Sequence, residues 1–227
     1  MWAAYARRVP ERKCDCGCPN TFSPGEAEKD LERYRRKGPD KTTRALIDAI
    51  RAEGVEGATL LDVGGGIGAI QLELLDAGVA SASSVDASAG YIEVATREAA
   101  RRGFGDRTVA HVGAFEDVAA GVETADIVTL DRVICCDPDL RGLLAATTSH
   151  ARRLIGLVYP RDTWWNRLLA RVLNAFCRLT RDSTRWYQHS PSEVDAILRQ
   201  AGFIGRDVVR DLIWHVVVYR RASPNPV

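Results

Sequence analysis

The stretch Leu60-Leu61-Asp62-Val63-Gly64-Gly65-Gly66-Ile67-Gly68 puts four glycines into five positions, directly after an apolar run that carries a carboxylate. Glycines at such a turn permit left-handed backbone angles and let a ligand approach the main chain closely. Gly64, Gly66 and Ala69 also fit a dinucleotide fingerprint loosely, so the glycines alone leave the ligand open. Asp62 narrows the choice, because a carboxylate there would repel a diphosphate resting on the next helix and suits a cationic ligand. A second apolar run ends at Val85-Asp86-Ala87, about 20 residues on, the spacing at which an acid accepts hydrogen bonds from ribose hydroxyls. A third ends at Val112, and Gly113-Ala114-Phe115 then offer small residues and an aromatic ring to a flat base. A ribose, a base and a cationic tail without a phosphate site describe S-adenosylmethionine.

Proton chemistry has few candidates. Of four histidines, His189 stands just before Ser190-Pro191, a helix start, and close to Tyr187, which makes it the best general base. His111 ends a strand, His150 ends a helix and His215 lies inside the last strand, positions that suit packing. The six cysteines fall as Cys14, Cys16 and Cys18, the adjacent pair Cys135-Cys136, and Cys177. Structural zinc sites use two-residue gaps between paired cysteines and need a second pair, so the sequence assigns no metal. A metal or metalloid site, a redox role and incidental thiols all stay open for this set.

The elements that must position these residues alternate. Short apolar runs at Thr59–Val63, Ala82–Val85, Thr108–Val112, Ile127–Leu130 and Leu154–Tyr159 are separated by helical patterns, which predicts a parallel sheet covered on both faces. Runs at Arg206–Val209 and Leu212–Arg220 lie too close together for a helix between them and predict an antiparallel terminal hairpin. Residues 1–55 read as an N-terminal arm and helical cap, with helices over Glu26–Lys37 and after Asp40; residues 56–227 read as the S-adenosylmethionine-binding domain. An insertion at about 160–190 follows the fifth strand as part of the substrate cover. Its Trp164, Leu168, Val172 and Phe176 repeat every fourth residue, and eight arginines against two aspartates between Ala151 and Arg185 give a local balance of +6. That pattern fits a core-packed helix with a solvated basic face, a lid over an anionic or aromatic acceptor, or a helix lying on an anionic membrane.

The whole composition bounds the function. The 227 residues are 46% hydrophobic and 27% charged, enough for a packed core and far from a disordered chain. A formal charge of +1 supplies no global field toward nucleic acid, and no apolar run approaches a membrane span. Without a signal-like hydrophobic N-terminus the expected location is the cytoplasm. Oligomeric state is not legible.

The segment from Gly57 to about Asp137 resembles the core of the class I S-adenosylmethionine-dependent methyltransferases. That likeness implies a doubly wound, mostly parallel α/β sheet of seven strands, Rossmann-like, closed by an antiparallel hairpin. It also implies site roles. Asp62 and the loop of Gly64, Gly65, Gly66 and Gly68 would hold the methionine end of the cofactor. Asp86 with Ala87 would hold the ribose, and Gly113, Ala114 and Phe115 would surround the adenine. Asp131 and Arg132 would line the methyl-donor cleft, with Tyr34 closing over the methionine end from an N-terminal helix. The C-terminal stretch Arg181-Asp-Ser-Thr-Arg-Trp-Tyr-Gln-His-Ser-Pro-Ser-Glu-Val further resembles magnesium-protoporphyrin and quinone-pathway O-methyltransferases. Such enzymes often carry a histidine where Cys135-Cys136 stand here. The expectation is methyl transfer to a small-molecule acceptor, anionic, aromatic or lipid-like, with oxygen favoured and His189, Tyr187 and Asp131 as catalytic candidates. A nicotinamide-dependent oxidoreductase on a similar sheet is the rival, with a non-catalytic cofactor- or metal-binding protein behind it.

Overall fold

The computed structural model describes residues 23–180 and 185–222. The cysteine cluster at 14–18 and part of the C-terminal resemblance, 181–184, lie outside them. Helix α1 (Pro24–Lys37) starts where the Ser23 side chain caps Glu26 N and ends at Gly38, whose φ of 71° breaks the helical repeat. Helix α2 (Lys41–Arg51) starts where Asp40 accepts from Thr42 N and Thr43 N. Strand β1 (Thr59–Val63) then opens an alternation: α3 (Ala69–Asp76), β2 (Ser81–Asp86), α4 (Ala89–Arg101), β3 (Thr108–Val112), the single turn α5 (Phe115–Val118), β4 (Ala125–Asp131), α6 (Leu140–His150) and β5 (Ala151–Pro160). Helices α7 (Trp164–Leu179) and α8 (Pro191–Gln200) precede the hairpin of β6 (Phe203–Arg210) and β7 (Trp214–Arg221).

The seven strands lie in the order β3-β2-β1-β4-β5-β7-β6, with only β7 antiparallel to its neighbours. The expected doubly wound sheet with a terminal hairpin is therefore the observed one. Its strand order reverses between β1 and β4, and in open α/β sheets ligands bind outside the carboxyl ends at that switch point.

Both faces of the central strands are buried, while the edge strand β3 is largely open. Leu61, Val63, Val128 and Leu130 face α6 and α8, while Leu60, Ile127 and Val158 face α2 and α3. Successive side chains alternate between the two layers, which is why these strands read as nearly continuous apolar runs. Through Leu46, Ile47 and Ile50, α2 packs into the sheet's own core rather than sitting above it. Helix α1 packs on α4 through Ala27, Leu31, Tyr34 and Val94. Among the described residues no helix is long and apolar enough to cross a membrane.

Candidate functional site

Beyond β1 the backbone must turn sharply into α3, and Gly64, Gly66 and Gly68 do so with φ of 63°, 55° and 78°. A Cβ on Gly64 would come within 2.4 Å of Val133, so both angle and space demand glycine there. Gly65 has an ordinary φ, yet a Cβ on it would meet Ser84 Oγ at 2.8 Å and Asp62 Oδ2 at 2.9 Å. Gly64 N donates to Val85 O (2.7 Å) and Gly66 N to Asp86 Oδ2 (2.9 Å), which ties the loop to the end of β2.

Three carboxylates surround this loop. Asp62 Oδ1 accepts from Thr129 Oγ1 at 2.7 Å, while its Oδ2 is buried without a hydrogen-bond partner. Asp131 Oδ2 accepts from Thr43 Oγ1 at 2.5 Å, and its Oδ1 is likewise buried and unpartnered. Asp86 accepts from Gly66 N and from Ser88 N (2.8 Å). Burial raises the proton affinity of all three. For Asp62 burial, only partly offset by the Thr129 hydrogen bond and reinforced by its acidic neighbours, pushes the pKa up to about 7.

A cleft of about 170 Å³ opens onto Asp62 and Asp131, lined by α1, the start of α2, the glycine loop and the end of β4, while Asp86 stands behind the loop outside that lining. Asp62, Gly64, Gly65, Gly66, Asp131, Arg132 and Tyr34, expected from the sequence, all line it. Two arginines line it: Arg33 pairs with Asp30 Oδ1 (2.9 Å), and the Arg132 guanidinium is drawn to Asp40 Oδ2 (2.6 Å) and Thr42 Oγ1 (2.7 Å) and lies over the Trp214 ring. It stays 3.8 Å from Asp131 Oδ1. Two buried carboxylate oxygens without hydrogen-bond partners, one of them with no closer cation than Arg132 at 3.8 Å, form a receptor for a cation. A diphosphate would meet repulsion in the same place. The residues present therefore fit the amino-acid end of S-adenosylmethionine and oppose a dinucleotide. A more open groove of about 660 Å³ behind Tyr34 is lined by ion-paired Arg35, Glu98 and Arg101, and its charges already answer one another.

The remaining expected residues fall around this centre. Gly68 caps α3 at the base of the loop. Asp86 and Ala87 stand at the end of β2, joined to the loop by Gly66 N. Gly113 N donates to Asp86 O at 2.9 Å, which brings the Gly113-Ala114 turn beside the expected ribose position. Phe115 differs from expectation: it is 4% exposed, packed in the core with its ring edge-on to His150, so its ring is not open to a ligand. Tyr34 lines the cleft, but its hydroxyl donates to Glu73 Oε1 (3.0 Å) and accepts from Arg102 (2.8 Å), with its pKa pushed up to about 12 chiefly by burial.

His189 and Tyr187 do not line that cleft. They dock on the turn that follows Asp131: Tyr187 N donates to Cys135 O and His189 Nε2 to Asp137 O, both at 2.8 Å. Their rings stack with centroids 6.5 Å apart. A carbonyl can only accept, so this contact puts the proton of the neutral imidazole on Nε2 and leaves Nδ1 with its lone pair. Of the adjacent thiols, Cys135 is raised well above the usual range by a hydrogen bond with Cys136 and by burial. Among the described residues no group of three or more His, Cys, Asp or Glu side chains is placed to hold a metal ion.

Sequence reasoning missed Thr43, Thr129, Asp30 and Tyr91. Thr43 sits one turn inside α2 and reaches Asp131; Tyr91 lies under Gly66 and its hydroxyl donates to Asp30 at 2.8 Å. The only sequence signal for Thr43 was the legible cap at Asp40, which fixes which side chains the first turn aims inward.

Residues 60–153 match the family model described as a methyltransferase domain. None of the curated protein sequences matches the chain. Among solved structures, magnesium protoporphyrin IX methyltransferase from Synechocystis PCC 6803 with bound S-adenosylhomocysteine superposes with a TM-score of 0.68 at 19% identity, over 92% of this chain and 100% of that one. Human N-acetylserotonin methyltransferase with S-adenosylmethionine gives 0.64 at 17% identity, over 95% of this chain and 61% of that one. The YcgJ protein of Bacillus subtilis gives 0.64 at 17%, over 80% and 99%.

Proposed function

We propose that this class I S-adenosylmethionine-dependent methyltransferase transfers its methyl group to an oxygen of a small-molecule acceptor. When bound, the cofactor supplies a methyl group on a positively charged sulfur, open to attack by a nucleophile. The chain's own contribution is placement and charge. Asp62 and Asp131 answer the cationic amino-acid end with the two oxygens that lack partners. Asp86 keeps acceptor capacity for ribose hydroxyls after binding Gly66 N and Ser88 N. Gly113 and Ala114 flank the base.

The observation that carries the oxygen assignment is the fixed tautomer of His189. A hydroxyl acceptor must lose its proton as the new bond forms, and an acceptor reaching from the cleft to the turn after Asp131, where His189 docks, would find the Nδ1 lone pair to take it. Tyr187, stacked on the imidazole, orients the ring. Asp131 is better employed as a counter-charge than as a base, since its carboxylate is committed to Thr43 and to the buried cation site. A small acceptor is supported by the likeness to two methyltransferases named for magnesium protoporphyrin IX and N-acetylserotonin.

The test is a screen of metabolite extracts with labelled methyl donor, followed by mass spectrometry of the product. On the acceptor so found, His189→Gln is expected to lower kcat by about 10²–10⁴-fold, with S-adenosylhomocysteine affinity unchanged. A product methylated on nitrogen or carbon overturns the oxygen assignment; a full rate in the variant overturns the base.

A further inference from the structure

We infer that the outward face of α7 docks on the surface of an anionic phospholipid bilayer. Trp164, Leu168, Val172, Phe176 and Leu179 are 76%, 51%, 56%, 63% and 83% exposed. Their spacing of four, four, four and three residues puts them on one stripe of the 16-residue helix. The opposite side is the one that faces the protein: buried Asn166 donates to Arg161 O (2.9 Å) and Ile213 O (3.2 Å), and Asn174 exchanges two hydrogen bonds of 2.9 Å with the main chain of Trp186. Among the described residues the apolar stripe therefore has no partner.

Charge decides the occupant. Arg167, Arg171 and Arg178 border the stripe on one side, and α7 contains no acidic residue. Arg167 pairs with Asp162, whereas Arg171 and Arg178 form no ion pair among the described residues. A second copy docked antiparallel, stripe to stripe, would bring these arginine rows together, and a parallel one would set each row against an apolar edge, with no acidic residue on either helix to neutralise them. An anionic lipid surface answers both features at once, because headgroups meet the guanidinium groups while Trp, Phe and Leu enter the acyl boundary. The β6–β7 turn adds exposed Leu212 (77%) and Ile213 (40%) beside the first turn of α7, to which it is bonded through Asn166.

The full-length chain is tested by co-sedimentation with vesicles of phosphatidylcholine alone or mixed with phosphatidylglycerol. Binding only to the anionic vesicles, weakened by salt, is expected. Leu168→Glu/Phe176→Glu should reduce partitioning at least tenfold, and Arg171→Glu/Arg178→Glu by about fivefold or more per arginine. Neither pair touches the cofactor cleft, so S-adenosylhomocysteine binding measured by calorimetry should remain that of the parent and report an intact fold. Failure to sediment with anionic vesicles overturns the inference, as does equal binding to phosphatidylcholine. A dimer in sedimentation velocity that the Leu168→Glu/Phe176→Glu variant dissolves also overturns it, in favour of a second copy.

Discussion

Asp62 is held at about pKa 7 by burial, far above the ordinary carboxylate value of 3.8. Below that pH its neutral form dominates and a cation finds no full counter-charge; above it the ionised form is available. Affinity for S-adenosylhomocysteine, whose amino group is cationic, should therefore climb toward pH 7 and level off beyond it, by up to about tenfold per pH unit on the acid side. Asp62→Asn is expected to weaken binding and flatten the profile, read by calorimetry across pH 5–8; an unchanged slope would mean that another group sets the dependence. The glycines and the three acids were legible because backbone geometry and a repeated strand-end carboxylate leave marks in a linear sequence. Thr43 and Thr129 were not, since each acts by reaching a carboxylate from a different element, and hydroxyl residues are common enough to carry no signal before that element is placed. Phe115 shows the opposite error: an aromatic at the right position turned into the core, because the single-turn helix α5 that begins with it aims its side chain at His150.

At the level of elements, period and punctuation were sufficient wherever a segment is buried on a definite side. Strands β1, β4 and β5 follow from apolar runs with both faces covered, and α1 and α2 start at Ser23 and Asp40 where capping side chains stand. Helix α4 begins three residues before its apolar pattern, because Ser88 caps Tyr91 N, and β6 begins at Phe203, hidden behind Gly202 in the sequence. In α7 the period was right, while the side it faces was not decided by it: a fourfold apolar repeat is the same whether it meets a core or lies open. Asn166 settles the orientation, being the one buried residue of that helix. Asn166→Ala removes its bonds to Arg161 O and Ile213 O, both of which keep another donor. The expected cost is therefore about 1 kcal/mol, concentrated in α7, where hydrogen exchange should quicken while the strands keep their protection. Uniformly faster exchange would instead mark Asn166 as part of the global fold.

On the scale of the whole molecule, opposing titrations bound the pH range of stability. Asp62 stabilises the free fold while protonated, and that contribution is lost as pH rises through about 7. Glu98 works in the other direction. Its side chain is 1% exposed, accepts from Arg101 of α4 (2.6 and 2.8 Å) and from Arg35 of α1, and its pKa is pushed down to about 2 chiefly by the Arg101 hydrogen bond against the cost of burial. Because that value lies below the ordinary 4.5, the stabilisation is complete above pH 4.5 and disappears as pH falls toward 2. The clamp joins α1 to the sheet's covering helix, and α1 carries Asp30 and Tyr34 into the cleft beside the glycine loop, so the same proton loosens fold and cleft together. Glu98→Gln should lower Tm at pH 7 by on the order of 5 °C, weaken S-adenosylhomocysteine binding, and make the decline of Tm between pH 4.5 and 2 shallower than in the parent. Scanning calorimetry over that interval decides: two curves displaced in parallel would show that the acid limb belongs to other carboxylates, whereas convergence of the two toward pH 2 locates it in this one buried ion pair between α1 and α4.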